Sequence, residues 1–343
     1  MRCILVTGDR GYIGSILVPL LLRQNYKVIG LDTDYFGNGK KNISYPNYKS
    51  ITKDIRNIDQ KDLRSVEAII HLSALSNDPM GEFNPKLTEE INFRSSIKLA
   101  KLAKKLGVGR FLFSSSCSIY GIAIQGIVDE QSPVNPLTAY AKSKIDTERE
   151  LLKLADSDFT VGIMRNSTVY GFSPKFRNDL VVNNLVTTAL AFGEIRIMSD
   201  GTPWRPLIDV RDLSKIFIEF LICDSKKING KIINVGFNEN NLRVMDIVLM
   251  IKKHIPNCKV VYTGEHGKDT RSYRVNFDKF HKLFPQIDQV WTLEKSVQDM
   301  IKNLNKITFG RKEFESGKFT RLSTLKNLLL RQMIDPMLHW RRE

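Results

Sequence analysis

Cysteine is scarce, with four in 343 residues. Cys3, Cys117, Cys223 and Cys258 lie far apart and show no metal-ligand spacing. This pattern argues against a disulfide scaffold and a bound metal, and for reduced thiols in a cytoplasm. Long apolar runs are missing too. No stretch of about 18 uncharged apolar residues occurs, so no membrane span is expected. The N-terminus carries one basic residue and then Ile4-Leu5-Val6-Thr7-Gly8. That is too short for a signal-peptide core and suits a first strand. Internal repeats and low-complexity tracts are absent. Acidic residues are in deficit: 37 Asp and Glu face 52 Lys and Arg, a formal net charge of +15. The basic residues are spread along the chain, which argues against a nucleic-acid partner and for an anionic small ligand.

The apolar content is 42%, enough for a sizeable core in one large domain or two. Strand and helix signals alternate through the first 170 residues. Cys3 to Val6, Tyr26 to Leu31, Ser65 to Leu72, Arg110 to Ser115 and Thr160 to Arg165 read as strands. Residues 12–24, 86–106 and 139–155 carry helical apolar spacing. This alternation predicts an α/β fold: a doubly wound parallel sheet covered on both faces. Val210 to Leu221 and Ile232 to Gly236 read as returns to that sheet. Residues 171–205 and 237–305 read as a smaller mixed α/β lobe, with short strands at Ile195 to Met198 and Val260 to Thr263. Residues 306–343 form a tail with a helix around 320–333. Leu322, Leu325 and Leu329 fall on one helical face there, so the tail is expected to dock rather than hang free.

Thr7-Gly8-Asp9-Arg10-Gly11-Tyr12-Ile13-Gly14 follows the first strand and opens the first helix. Gly8 permits the tight turn, Gly11 lets backbone approach a pyrophosphate, and Gly14 allows close packing of helix on sheet. The free N–H groups of the helix start then face an anion. Asp32 closes the next strand, where a carboxylate accepts from both adenosine ribose hydroxyls and repels a 2′-phosphate. Arg10, inside the glycine loop, is the one contrary sign. The pattern implies a dinucleotide cofactor, and NAD rather than NADP.

Tyr140-Ala-Lys-Ser-Lys144 places a Tyr four residues before a Lys. In a Lys-rich chain such a pair also arises by chance, and Tyr45-Pro-Asn-Tyr-Lys49 is a second one. Context separates them. Residue 140 opens a helical pattern, so spacing of four stacks Tyr140 and Lys144 on one face. Pro46 follows Tyr45 and denies it a helix. Upstream, Phe113-Ser114-Ser115-Ser116 ends a buried strand at its C-terminal edge, where open parallel sheets bind ligands. Asn77-Asp78-Pro79 adds polarity after the fourth strand, either to read sugar hydroxyls or to cap the next element.

Taken in order, these residues resemble the extended short-chain dehydrogenase/reductase family, in particular its NAD-dependent nucleotide-sugar epimerases and dehydratases. The resemblance covers about residues 1–300. It rests on the glycine loop, Asp32, Lys53-Asp54-Ile55, His71-Leu-Ser-Ala-Leu75, Asn92, the Ser-Ser-Ser strand end and Tyr140/Lys144. It implies a Rossmann domain over residues 1–170, with returns at about 206–236, and a nucleotide-sugar-binding lobe. It also implies that Ser116 and Tyr140 touch the reacting hydroxyl and that Lys144 reaches the nicotinamide ribose. The cofactor-binding set would then be Gly8, Arg10, Gly11, Tyr12, Ile13, Gly14, Asp32, Asp54, Ile55, Leu72, Ser73, Ala74, Asn92, Ser114, Tyr140 and Lys144. A Lys ammonium and a nicotinamide cation would favour the phenolate of Tyr140, an otherwise weak base at pH 7. Asn77, Ser116, Thr168, Asp179, Arg205 and Arg271 would bind the substrate, the arginines at its diphosphate.

Departures narrow the chemistry. Family dehydratases carry Asp-Glu directly after the residue at Ser116, where this chain has Cys117 and Ser118. The implied function is oxidation of a sugar C4 hydroxyl through a 4-keto sugar, as a 4-epimerase or a 4-dehydrogenase. Ser173 to Leu180 resembles members acting on sugars of surface polysaccharides. Helices 86–106 and 139–155 match those that pair in the family's homodimers. A dehydratase, or a non-catalytic NAD-sensing or nucleic-acid-binding protein on the same fold, is the alternative.

Overall fold

The computed structural model describes residues 2–37, 45–121, 126–263 and 272–341. Its main sheet has seven strands in the order Lys231–Val235, Thr160–Asn166, Arg110–Ser116, Ala68–His71, Cys3–Thr7, Lys27–Asp32 and Tyr48–Thr52. Every neighbouring pair is parallel. The order reverses beside Cys3–Thr7, so the crevice for a ligand opens at the carboxyl ends of the central strands.

Both faces of this sheet are buried, which explains the near-continuous apolar runs. The two-residue period sends Leu5, Ile29, Ile69, Phe111 and Val161 to one core. Ile4, Val6, Val28, Ile70 and Leu112 go to the other. Helix Ser95–Lys105 covers the first face with Leu99, Ala100 and Ala103. Helices Gly14–Arg23 and Val210–Ile222 cover the second. The segment from Val210 is therefore a helix laid on the sheet, not a return into it. Its apolar residues Leu213, Ile216, Phe217, Phe220 and Leu221 recur at helical spacing, and the Asp209 side chain caps it by accepting from Arg211 N. The return strand is Lys231–Val235.

One strand escapes the sequence pattern, and one expected helix carries an unexpected turn. Tyr48–Thr52 pairs with Lys27–Asp32 as the outer strand, and its half-exposed residues carry only a weak signal. Pro85–Lys105 runs as one helical rod with a π-turn at Glu89–Arg94.

A third core holds the smaller lobe, built from helices Val181–Phe192, Val244–His254 and Leu293–Lys306. Glu194–Ile197 and Lys259–Tyr262 pair in parallel beside it. The tail runs across both bodies. Phe309, Phe314 and Phe319 pack on the lobe. Leu325, Ile334 and Leu338 are buried against the first face of the main sheet. Among the described residues no helix is long and apolar enough to cross a membrane.

Candidate active site

Strand Cys3–Thr7 delivers the chain to Gly8, whose φ of +74° lies in the left-handed region. A Cβ there would sit 3.0 Å from Leu72 C and Ser73 N, and one on Gly11 would sit 3.1 Å from Gly8 O. Side chains at these positions would crowd the loop. Helix Gly14–Arg23 starts with no side-chain cap. Ser15 N donates to Gly11 O, and Ile16 N and Leu17 N to Ile13 O, each at 3.0 Å, so the N–H groups left for a ligand are those of the preceding turn, at Tyr12, Ile13 and Gly14. Asp32 ends its strand beside them. Its Oδ1 accepts from Asp34 N at 2.7 Å and its Oδ2 from Arg10 N at 3.3 Å. The Arg10 guanidinium turns away to pair with Asp34 at 2.9 Å and to donate to Ser50 at 3.0 Å. Its engagement there removes the contrary sign for a 2′-phosphate.

One cleft of about 930 Å³ runs from this loop to the smaller lobe. Gly8, Gly11, Tyr12, Ile13, Gly14, Asp32, Asp54, Ile55, Leu72, Ser73, Ala74 and Ser114 line its first half. Asn92 stands behind that wall. It accepts from Leu75 N at 2.8 Å and donates to Leu75 O and Ser143 Oγ, each at 3.2 Å. Buried Asn92 thus braces the loop that a ligand would touch.

The middle of the cleft holds Ser116, Tyr140 and Lys144. Ser116 ends strand Arg110–Ser116 and accepts from Ser118 N at 3.1 Å. Tyr140 and Lys144 lie one turn apart on helix Ala139–Leu152, which Thr138 caps. Lys144 Nζ donates to Ser114 O at 2.7 Å and lies 5.7 Å from the Tyr140 ring centre. Gly81 permits this arrangement, because a Cβ there would meet Tyr140 Cβ and N at 2.9 Å.

Burial dominates the electrostatics. It pushes the Tyr140 phenol up to about 12, helped by Asp78 and opposed by a hydrogen bond with Ser116 and by Arg177. It pushes Lys144 down to about 7, opposed by Glu148. The sequence suggests that a Lys ammonium lowers the Tyr pKa. In the protein alone Lys144 is itself starved of charge by burial, and it does not set the Tyr140 value. Glu148 is fully buried and holds Arg165 through bonds at 2.7 and 3.1 Å, with Ser115 donating to the same carboxylate. Cys117 is also buried, and its thiol, donating to Arg165 O at 3.2 Å, is pushed far up by burial.

Beyond Tyr140 the cleft is lined by Asn77, Thr168, Arg177, Asp179 and Arg205. Asn77 caps helix Asp78–Phe83 by accepting from Met80 N at 3.0 Å, and it donates to Asp179 at 2.8 Å. Asp179 also takes Arg177 Nε at 2.8 Å. Arg177 in turn donates to Ser76 Oγ at 3.0 Å. Buried Arg205 donates to Trp204 O at 2.9 Å. Arg271 lies outside the described residues. Sequence reasoning did not single out Arg177, Gly81, Glu148 or Arg165. Their roles come from contacts distant in sequence, and only the Lys144/Glu148 spacing of four left a local trace.

A family model described as NAD dependent epimerase/dehydratase matches residues 4–236. The chain belongs to this family. Its cofactor is NAD, and the glycine cradle and Asp32 fit that group. A putative UDP-glucose 4-epimerase of Methanocaldococcus jannaschii is 32% identical over 282 residues, covering 80% of this chain and 89% of its own. UDP-glucuronic acid decarboxylase 4 of Arabidopsis thaliana is 25% identical, covering 92% of this chain and 71% of its own. The UDP-glucuronic acid 4-epimerase of Bacillus cereus, solved with UDP-glucuronic acid and NAD, has a TM-score of 0.77 at 24% identity. That match covers 89% of this chain and 100% of that one. The chain shares its parallel-sheet fold with these neighbours.

Proposed function

We propose that the chain is an NAD-dependent 4-epimerase of a UDP-linked hexose. One observation carries the reading. Ser116, Tyr140 and Lys144 meet in one cleft with the glycine loop, while Cys117 and Ser118 occupy the positions where a dehydratase needs carboxyl groups. Tyr140 accepts the proton of the C4 hydroxyl, and Ser116 orients that hydroxyl by hydrogen bonding. Lys144 fixes the Ser114 carbonyl end of the site and, when protonated, favours the phenolate. The glycine loop and Asp32 would hold NAD, which would supply the hydride acceptor and a positive charge that also favours the phenolate. The keto sugar then turns in the cleft, and as the hydride returns to the other face of C4, Tyr140 gives the proton back to the C4 oxygen. Cys117 supplies no acid: its thiol is buried and pushed far above neutral pH.

The names of the relatives support UDP as the nucleotide. Thr168, Arg177 and Arg205 are the side chains proposed to meet the nucleotide sugar. A net 4-dehydrogenase differs only in not returning the hydride. Supplying UDP-glucose, UDP-galactose and UDP-glucuronic acid separately, then resolving the products by ion-exchange chromatography, tests the proposal. C4 inversion of at least one is expected. No conversion of any UDP sugar overturns it.

A homodimer is part of the same proposal. Phe93, Leu102 and Leu152 are only partly buried and Leu106 is exposed on the two helices concerned, which leaves apolar surface for a second copy. Free cysteines support a reducing, cytoplasmic setting.

A further inference from the structure

The tail contributes a cation to the wall of the cleft. Arg321 opens helix Arg321–Leu330 and is 4% exposed, yet it lines the same cleft as the glycine loop. Its Nη2 donates to Lys175 O at 2.8 Å, and its guanidinium lies 4.3 Å from the Phe36 ring centre. It makes no ion pair with any described carboxylate. Asp179 is already held by Arg177 and Asn77, and Asp32 by Asp34 N and Arg10 N. Burial, with Arg177 nearby, drives the Arg321 pKa down to about 9, opposed by Asp179, which the Arg321 backbone N–H also approaches, and by Asp32 and Tyr12. A buried guanidinium without a counter-ion is costly. The cost is relieved when an anion enters the cleft beside it.

We propose that Arg321 is a ligand of the NAD pyrophosphate, and that the tail is thereby a built part of the cofactor site. The groups around Arg321 place it there. Its ring partner Phe36 follows Asp32 by four residues, and its acceptor Lys175 lies two residues after Ser173, whose hydroxyl donates to Tyr12 O of the glycine loop at 2.8 Å, so the guanidinium stands between the two on the cleft wall. An Arg presents a planar fork suited to two phosphate oxygens. The rest of the tail fastens this wall to both bodies. Thr320 Oγ1 donates to Asn178 at 2.6 Å, and Asn178 N donates to Phe319 O at 3.0 Å. Further on, Arg56 donates to Met337 O at 2.8 Å and Trp340 Nε1 to Thr33 O at 2.6 Å. Thr33 directly follows Asp32, so the last turn of the tail closes over the adenosine end. On this placement bound NAD lies beside the tail, which suits an enzyme that hands the hydride back to its own substrate.

This inference rests on NAD occupying the cleft, not on which sugar reacts, so its test uses no sugar. NAD, ADP-ribose and adenosine are titrated by calorimetry into cofactor-stripped full-length protein, as wild type, Arg321→Gln and Arg321→Met. Gln keeps a donor for Lys175 O without the charge. The affinities for NAD and ADP-ribose should fall about ten- to hundredfold, while adenosine, which lacks the pyrophosphate, binds as in wild type. Unchanged NAD affinity, or an equal loss for adenosine, overturns the proposal. Should neither variant fold, hydrogen exchange of the wild type decides. ADP-ribose must protect amides of residues 318–330 more than adenosine does, and equal protection refutes the role.

Discussion

Replacing Glu148 by Gln should destabilise the protein and weaken catalysis by separable routes. Glu148 and Arg165 are 0% and 3% exposed and joined by bonds at 2.7 and 3.1 Å. Removing one partner of a buried pair strands the other charge, at a cost of about 3–5 kcal/mol. With roughly 2.1 cal/mol/K of unfolding entropy per residue, a chain of 343 residues converts that loss into a Tm drop of about 4–7 °C. Glu148 is also the group that favours the Lys144 ammonium, whose pKa burial lowers to about 7. Without Glu148 that pKa falls further, the ammonium fraction at pH 7 shrinks, and turnover at that pH should drop. The double variant Glu148→Gln/Arg165→Met removes both stranded charges. It should recover most of the lost Tm, because apolar replacement of a whole buried pair is often neutral, yet keep the turnover defect. The assays are calorimetric unfolding and turnover as a function of pH. A single-variant Tm within about 1 °C of wild type would contradict the buried-pair account. A double variant no more stable than the single would show that shape, not charge, matters.

Tyr140→Phe should leave the fold and NAD binding intact and reduce turnover by roughly two to four orders of magnitude, with Tyr45→Phe as the silent control; a drop under about tenfold would place the proton elsewhere. Asp9 is buried in the glycine loop, its carboxyl pushed up to about 7 by burial and by Asp32. Its folded-state pKa is raised, so its contribution is present below the ordinary carboxylate range and lost as pH rises through about 7. Asp9→Asn should therefore raise stability about 2–3 kcal/mol more at pH 8 than at pH 5, measured by denaturant unfolding; a pH-independent effect would contradict this. Light scattering at micromolar concentration should give twice the chain mass, and a strictly monomeric mass would refute the proposed dimer.

The main sheet was legible because its strands are buried on both faces and read as apolar runs. Tyr48–Thr52 was not, since an outer strand with half-exposed polar residues leaves no such run. Val210 to Leu221 reads as part of the sheet because it is so apolar, although its spacing is helical and it lies in helix Val210–Ile222. In the site, local motifs sufficed for the glycine loop, Asp32 and the Tyr140/Lys144 pair, whose geometry follows from spacing on one element. Arg10 and Asn92 sit where the sequence puts them but face other partners, Asp34 and Leu75. Arg321 had no local signal at all. Its place depends on a contact with Lys175 that spans 146 residues, and only the folded tail brings it to the cleft.

The most direct test of C4 chemistry follows the hydrogen itself. A UDP-hexose carrying deuterium at C4 is incubated with the NAD-loaded protein, and mass spectrometry with NMR locates the label. The account predicts a C4-inverted sugar that retains deuterium at C4, with no label lost to added free NAD. Deuterium appearing at C6 with loss of water, or an unchanged sugar across the UDP-hexoses, would contradict it.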